Sequence, residues 1–178
     1  RGLEALHEDV IYMKGDSGDN VAEVAMQYND SYNELLLSFA NNINTGEGGT
    51  HEDGFKQALT RVLNAYARKN NLLKDSDKNL SGEDCREGLT AIISVKLREP
   101  QFEGQTKGKL GNTEMRQVVS AIVTDKLTTY FEENPQVART IIEKAITASR
   151  AAEAARKARE ATRHKSPLEG VGLPSKLK

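Results

Sequence analysis

A chain of 178 residues, of which 37% are hydrophobic and 29% charged, is long enough for one cored domain and an additional helical element. The lack of Trp and the 5% aromatic content argue against a base-stacking surface for single-stranded nucleic acid. The net charge is only −1, but residues 1–138 carry 15 basic and 22 acidic side chains whereas residues 139–178 carry 10 and 4. An anionic partner is therefore expected at the C-terminal part or at a local patch, unless the basic residues are solvated surface charge.

Two strands are predicted in the first fifty residues. Apolar residues occupy alternate positions over 21–28 and again over 34–43, on either side of a short polar turn. Strands joined by so short a turn are expected to pair with each other as an antiparallel hairpin. Residues 10–13 could add a short edge strand.

A glycine-rich turn leads into a helix predicted over residues 51–70, with Thr50 as its N-cap. The apolar residues of this helix recur at helical spacing: Phe55, Leu59, Val62, Leu63 and Tyr66. The clearest strand follows over 88–98, where apolar and polar residues alternate until Pro100 ends the pattern.

Two further helices are predicted after residue 112. The first covers 113–134, with Asn112 as its cap, and the second begins at Pro135, because proline is favoured at the first helical position. From Ser149 to His164 the second helix is rich in Ala and charge and has no large apolar residue. This half is therefore expected to project beyond the body of the domain.

These elements predict an α+β domain of about four strands with two or three packed helices. The predicted organisation is an α/β body over residues 1–134, a long basic helix over 135–165 and a linker over 166–178.

Residues 101–112 carry the strongest chemical signal, because glycines, lysines and glutamines cluster between the predicted strand and helix. Glycines allow the backbone to approach a ligand closely, and a lysine on such a loop can bind a phosphate oxygen. The pattern is not a P-loop, since only three residues separate Gly104 from Gly108 and Leu110 stands where that motif has Ser or Thr. An exposed loop with solubilising lysines is the alternative.

Metal and nucleophile chemistry has little support in the sequence. Phe55 stands where a zinc-protease helix starting at His51 would have its second histidine. Cys85 has no paired cysteine, and the neighbouring Asp84 disfavours its thiolate, although a catalytic pair with His51 stays open. No metal site is predicted.

Several motifs, taken in order, resemble one protein family. They are the stretch 39–45, Glu47-Gly48-Gly49-Thr50-His51, Arg86-Glu87-Gly88-Leu89, the 101–112 loop, Glu132-Glu133-Asn134-Pro135, and the tail segments 154–160 and 173–177. The family comprises the B subunits of bacterial type IIA topoisomerases, DNA gyrase and topoisomerase IV. The likeness covers nearly the whole chain and is to the transducer domain of that subunit.

The resemblance implies a fold and a site. The expected fold is a four-stranded sheet with helices on one face and a left-handed βαβ crossover, followed by the long helix. Lys107 is expected to contact the γ-phosphate of ATP bound by the neighbouring domain, and Gln105 to support it. Residues expected to line a DNA cavity lie on the first and third helices: Lys56, Arg61, Arg150 and Arg156. For each of these four, solvated surface charge is the alternative.

The resemblance also implies partners. An upstream ATP-binding domain of the GHKL type would bind ATP and Mg²⁺, and a downstream TOPRIM domain would follow the linker. Further expected partners are double-stranded DNA, the gyrase A subunit and a second copy of the full subunit. The chain alone is expected to lack a complete active site and to hydrolyse no ATP.

The same resemblance implies a cytoplasmic, nucleoid-associated location and no membrane partner. The single cysteine, Cys85, excludes an intrachain disulfide and fits a reducing compartment. No apolar run approaches the roughly 20 residues that span a bilayer.

Other interpretations stay open at this point. A topoisomerase IV subunit would differ mainly in its partner subunit. A free-standing nucleic-acid-binding module of related fold would bind nucleic acid tightly and with steep salt dependence. A small-molecule kinase would need a complete phosphate loop and a nearby catalytic acid, and a purely structural scaffold would leave the loop at 105–107 inert.

Overall fold

The computed structural model describes residues 4–172, and the side chains among them as far as Thr162. It contains a five-stranded sheet, a two-stranded ribbon and four helices within that range. In chain order the elements are β1 (Ile11–Ser17), β2 (Asn20–Tyr28), β3 (Leu35–Ala40), β4 (Ile43–Asn44), α1 (Thr50–Lys69), α2 (Gly82–Arg86), β5 (Leu89–Lys96), β6 (Phe102–Glu103), β7 (Lys109–Leu110), α3 (Glu114–Glu133) and α4 (Pro135–Gly172).

The strand order of the sheet is β1-β2-β5-β3-β4. β2 is antiparallel to β5, and β3 is parallel to it. The predicted hairpin between residues 21–28 and 34–43 is therefore wrong, because β5 lies between these strands. The connection from β2 to β3 crosses the end of β5, where the Asn29 N–H donates to the Gly88 carbonyl (2.8 Å) and the Gly88 N–H donates to the Asn33 carbonyl (3.1 Å).

The predicted strand over 34–43 is divided into β3 and β4 at Asn41 and Asn42. Both residues have positive φ (49° and 68°), which suits a tight two-residue hairpin and is tolerated by asparagine. The Asn41 side chain also bonds the N–H and the carbonyl of Leu97, each at 2.9 Å. This division gives the sheet five strands instead of four, while the predicted α+β class is confirmed.

The two faces of the sheet differ in their cover. Alternate apolar residues such as Met26 and Ile93 face the helices and are buried. On the opposite face Tyr12, Leu35 and Ile92 are 59%, 52% and 43% exposed. β3, α1, α2 and β5 form a βαβ unit, and the left-handed connection stays a prediction of the resemblance.

Helices α1 and α3 pack directly against each other, and their bounds agree with the predicted helices to within one residue. At their closest approach Gly54 has no room for a side chain, since a Cβ there would lie 2.4 Å from the Arg116 carbonyl oxygen. The rings of Tyr66 and Phe131 meet edge to face, with 5.4 Å between centroids.

Helix α4 begins at Pro135, as predicted, and buries one side of its first turns through Ala138, Ile141, Ile142 and Ala145. From Arg150 to Thr162 its side chains are exposed or half-exposed. The helix continues to Gly172, past the predicted boundary at residue 165. The division of the chain into body, helix and linker stays a prediction, and residues 173–178 lie outside the described part. None of the described helices combines the length and apolarity that a bilayer span requires.

Candidate functional site

The 101–112 loop is a two-stranded ribbon rather than an irregular loop. β6 and β7 pair antiparallel, with Phe102 opposite Leu110. Between them the chain reverses in a turn closed by a 3.4 Å hydrogen bond from the Lys107 N–H to the Gly104 carbonyl. We call the turn over residues 104–107 the tip of the ribbon, and residues 101–103 and 108–112 on either side of it the stem.

Gln105 and Lys107 lie at the exposed tip. Lys107 has a φ of 58°, in the left-handed region that residues with a Cβ seldom adopt, so the backbone that presents this side chain is strained. Within residues 4–162 neither side chain has an ion pair or a side-chain hydrogen bond, not even with the other. Lys109, on the stem, lies 4.0 Å from the carboxylate of Glu103.

The stem of the ribbon is bonded to the segment that precedes and opens α1. The Glu47 N–H donates to the Gly108 carbonyl (2.7 Å), and the Leu110 N–H donates to the Gly48 carbonyl (3.1 Å). The Thr50 hydroxyl donates to the Asn112 carbonyl at 2.5 Å. We call these three bonds the clamp.

The clamp also explains why residue 49 is a glycine. Gly49 has a φ of 141°, and a Cβ at this residue would lie 2.5 Å from the Leu110 carbonyl oxygen. Only glycine lets the two backbones approach this closely. Thr50 is not the N-cap that the sequence predicted, because Gly49 precedes the helix and the Thr50 hydroxyl bonds across to the ribbon.

Asn112 closes the base of the ribbon instead of capping α3 as predicted. Its Oδ1 accepts from the Gln101 N–H at 2.6 Å, and its Nδ2 donates to the Glu99 carbonyl (3.1 Å) and to Glu114 Oε2 (3.0 Å). The bond from Asn112 lowers the pKa of the Glu114 carboxyl. Both ends of the 101–112 segment are thereby fixed, and only the tip is free of such contacts.

Three buried polar residues that the sequence did not predict to interact, Ser38, Thr45 and His51, lie beside the clamp. The Thr45 hydroxyl donates to the Ser38 carbonyl (2.9 Å) and lies 3.0 Å from His51 Nε2. Because the Thr45 hydrogen is already used, the His51 ring donates from Nε2, which leaves Nδ1 as a bare acceptor. That Nδ1 is buried without a partner among the described residues. Burial lowers the pKa of His51 to about 4, although the neighbouring carboxylates oppose this change.

The four residues selected for a DNA cavity differ in how their charge is used. Lys56 lies 3.2 Å from Glu52, one turn away on α1. The Arg61 guanidinium donates to the hydroxyls of Ser120 (2.8 Å) and Thr124 (3.1 Å) on α3, and it has no carboxylate partner within residues 4–162. The charge of Arg61 is therefore not paired with a carboxylate in the part of the chain that the structure describes.

The two residues of α4 selected for the DNA cavity, Arg150 and Arg156, also differ in their surroundings. Arg156 is bound by Glu153 (2.5 Å) and Glu160 (2.8 Å), which neutralise its charge within the helix. Arg150 lines a cleft between α4 and the preceding 73–80 segment, together with Lys78 and Lys157. The structure thus places the selected residues on two separate helices rather than in one cluster.

The catalytic pair left open for Cys85 is not formed. The Cys85 thiol is buried on α2, and burial raises its pKa to about 12. His51 bonds with Thr45 instead. Through residue 162, no three His, Cys, Asp or Glu side chains converge as metal ligands.

Comparison with known proteins identifies the family. The family model described as DNA gyrase B matches residues 1–161. The chain belongs to the DNA gyrase B family. It is 61% identical to the DNA gyrase B protein of Clostridium acetobutylicum over 99% of its own length. The matched region is 28% of that relative, so the chain spans little more than a quarter of such a protein.

Two solved structures share the fold. The 43K ATPase domain of Thermus thermophilus gyrase B, in complex with an aminocoumarin, has a TM-score of 0.83 and 44% identity over 90% of this chain and 43% of that one. The ATP binding domain of Francisella tularensis topoisomerase IV, in complex with a small-molecule inhibitor, has a TM-score of 0.72 and 33% identity over 79% of this chain and 39% of that one. The chain therefore matches less than half of each of these two structures.

Proposed function

We propose that the chain is the transducer segment of a DNA gyrase B subunit, and that Lys107 senses the γ-phosphate of ATP bound by the preceding domain. The observation that carries the proposal is the exposed Lys107 ammonium, which has no ion-pair partner within residues 4–162. It stands at the tip of a ribbon whose stem is bonded to α1. Gln105, in the same turn, would support the contact.

The proposed contact distinguishes two nucleotide states. A lysine ammonium forms a charge-assisted hydrogen bond with a terminal phosphate, and this bond is lost when the phosphate leaves. Only an interaction that differs between two states can shift the equilibrium between them. A shift of 5- to 150-fold requires about 1–3 kcal/mol, which is the range expected for one charged hydrogen bond.

The remaining assignments follow from the family. The preceding GHKL domain would bind ATP and Mg²⁺, and a following TOPRIM domain and the gyrase A subunit would act on double-stranded DNA within a dimer of the full subunit. The coupled reaction would be DNA strand passage in the bacterial cytoplasm, at the nucleoid. This chain contributes the phosphate sensor and the helices that move with it.

Arg61 is the residue whose surroundings best support a DNA contact. Its guanidinium is fixed by two neutral hydroxyls, so its orientation is set while its charge stays available for a phosphate. Lys56 and Arg156 are each ion-paired with a carboxylate of their own helix, α1 and α4 respectively. Arg150 shares its cleft with the ion pair between Lys78 and Glu153.

The test is Lys107→Ala in the full-length subunit assembled with the gyrase A protein. We expect ATP-driven supercoiling to fall at least about fivefold, since the proposed contact contributes about 1–3 kcal/mol of coupling. The matched control is Lys109→Ala, which removes a second exposed ammonium from the same ribbon and should leave supercoiling within about twofold of wild type. Both variants should have wild-type thermal stability, because the two side chains are exposed.

Two results would contradict the proposal. One is near-normal ATP hydrolysis and strand passage by the Lys107→Ala variant. The other is steady ATP turnover by this chain alone, because the proposal assigns nucleotide binding to the preceding domain.

A further inference from the structure

The clamp joins two segments that are far apart in sequence. One comprises residues 47–50, which end in the first residue of α1, and the other comprises residues 108–112, which form the β7 side of the stem. Two backbone hydrogen bonds, one side-chain bond and the close contact at Gly49 connect them over a few residues. The stem therefore has more direct bonds to the start of α1 than to any strand of the main sheet.

Helix α1 is in turn tied to α3. Gly54 is in close contact with the backbone of α3, and Arg61 donates to two hydroxyls there. Arg116 of α3 lies 3.8 Å from the Asp53 carboxylate. A displacement of the stem would thus move α1 and α3 together, rather than bend the ribbon against a fixed body.

We infer that the segment 47–50 is a positioning element that couples the ribbon tip to α1, with the Thr50 hydroxyl as its side-chain link. The inference rests on the proposed function, since it assigns a route by which the Lys107 contact reaches the helix that carries Arg61. Thr50 touches no nucleotide in this scheme. It acts by keeping the Asn112 carbonyl, and with it the stem, attached to the first turn of α1.

The experiment measures amide hydrogen exchange in the full-length subunit, with and without a non-hydrolysable ATP analogue. The Lys107 amide reports the tip, and the Asp53 amide, which donates to the Gly49 carbonyl at 3.0 Å, reports the first turn of α1. In the wild type the analogue should slow exchange at both amides. This measurement needs no variant, so it does not depend on how well a variant folds.

Three variants isolate the Thr50 link. Thr50→Val keeps the shape and removes the donor, so it should preserve the response at Lys107 and reduce the response at Asp53 about fivefold, the effect of losing one such hydrogen bond. Thr50→Ser keeps the hydroxyl and should restore the response. The matched control is Thr140→Val, which removes a hydroxyl that donates to a carbonyl within α4, away from the ribbon.

The outcomes separate the two claims. A wild-type response at Lys107 without one at Asp53, or an unchanged Asp53 response in Thr50→Val, overturns the coupling role while the phosphate sensor stands. If the analogue does not affect Lys107 exchange and Lys107→Ala supports normal supercoiling, the proposed function is wrong and the coupling role is lost with it.

Discussion

Lowering the pH from 7 to 5 should destabilise the folded chain by about 2 kcal/mol through the single side chain of His51. The pKa of this buried ring is about 4 in the folded state, whereas it is 6.5 without the surrounding structure. Between these values the unfolded chain binds a proton that the folded chain does not, so stability is greatest above pH 6.5 and is lost as the pH falls. At about 1.4 kcal/mol per pKa unit the full loss is about 3.5 kcal/mol, and it is complete only below pH 4, where the folded ring is protonated as well.

The structural reason is the hydrogen-bond arrangement around the ring. His51 already donates from Nε2 to Thr45, and a proton added at Nδ1 would be buried without an acceptor among the described residues. The assay is urea unfolding followed by far-UV circular dichroism at pH 7, 6 and 5. The reference is His51→Gln, whose amide can still donate to Thr45 but does not titrate in this range.

The difference between the two proteins isolates the histidine, because the titration of the carboxylates is common to both. We expect His51→Gln to be less stable than wild type at pH 7, and this difference to shrink by about 2 kcal/mol at pH 5. Equal losses for the two proteins would refute the argument, since they would show that His51 binds its proton equally well in the folded and unfolded chains.

Three further predictions concern packing, reactivity and DNA. Gly54→Ala should lower the free energy of unfolding by about 2 kcal/mol or more in thermal or urea unfolding, because its Cβ would lie 2.4 Å from a backbone oxygen of α3. Gly46→Ala, with nothing within 4 Å of the added Cβ, is the control and should change stability by less than about 0.5 kcal/mol. Cys85 should stay unreactive toward a thiol-specific reagent at pH 8 until urea unfolds the chain, and rapid labelling of the native protein would show that the thiol is not buried. In filter binding of duplex DNA to the full-length subunit, Arg61→Gln should reduce the salt dependence by about one phosphate contact while Arg156→Gln leaves it unchanged, and the reverse order would contradict the charge analysis.

Local periodicity was sufficient for the elements that bury a regular stripe. Helices α1 and α3 and the strand β5 were predicted close to their bounds, because their apolar residues repeat at 3.6 or 2 residues over a long stretch. The order of strands was not predictable in this way. β5 lies between β2 and β3, although more than forty residues separate it from β3 in the sequence. The local feature that marks this arrangement is Gly88. Its φ of 78° allows both its N–H and its carbonyl to bond to the connection between β2 and β3.

The residues at the tip of the ribbon could be selected from the sequence, but the clamp that holds the stem could not. Lys107 and Gln105 were selected because a motif resembles a family, and the structure shows them exposed on one turn. The clamp is made largely of backbone bonds, which leave no pattern of side chains to read. The paired glycines Gly48 and Gly49 were the available signal, since consecutive glycines before a helix indicate a close backbone approach. The sequence presents His51 only as a candidate ligand or catalyst, and nothing in its position indicates that it is buried beneath the clamp.

The shape of α4 gives small rotations a large effect. Its first turns are buried in the body, and its contacts with the 73–80 segment, which include the ion pair between Lys78 and Glu153, reach as far as Lys157. The remaining part, 158–172, continues for about 22 Å. A tilt of about 10° at its attached end would displace the far end by about 4 Å. A small rotation at the attached end of the helix therefore becomes a larger displacement of its far end, provided that the helix does not bend. The charge pairs that Arg156 forms with Glu153 and Glu160 span two successive turns there and stiffen it against bending.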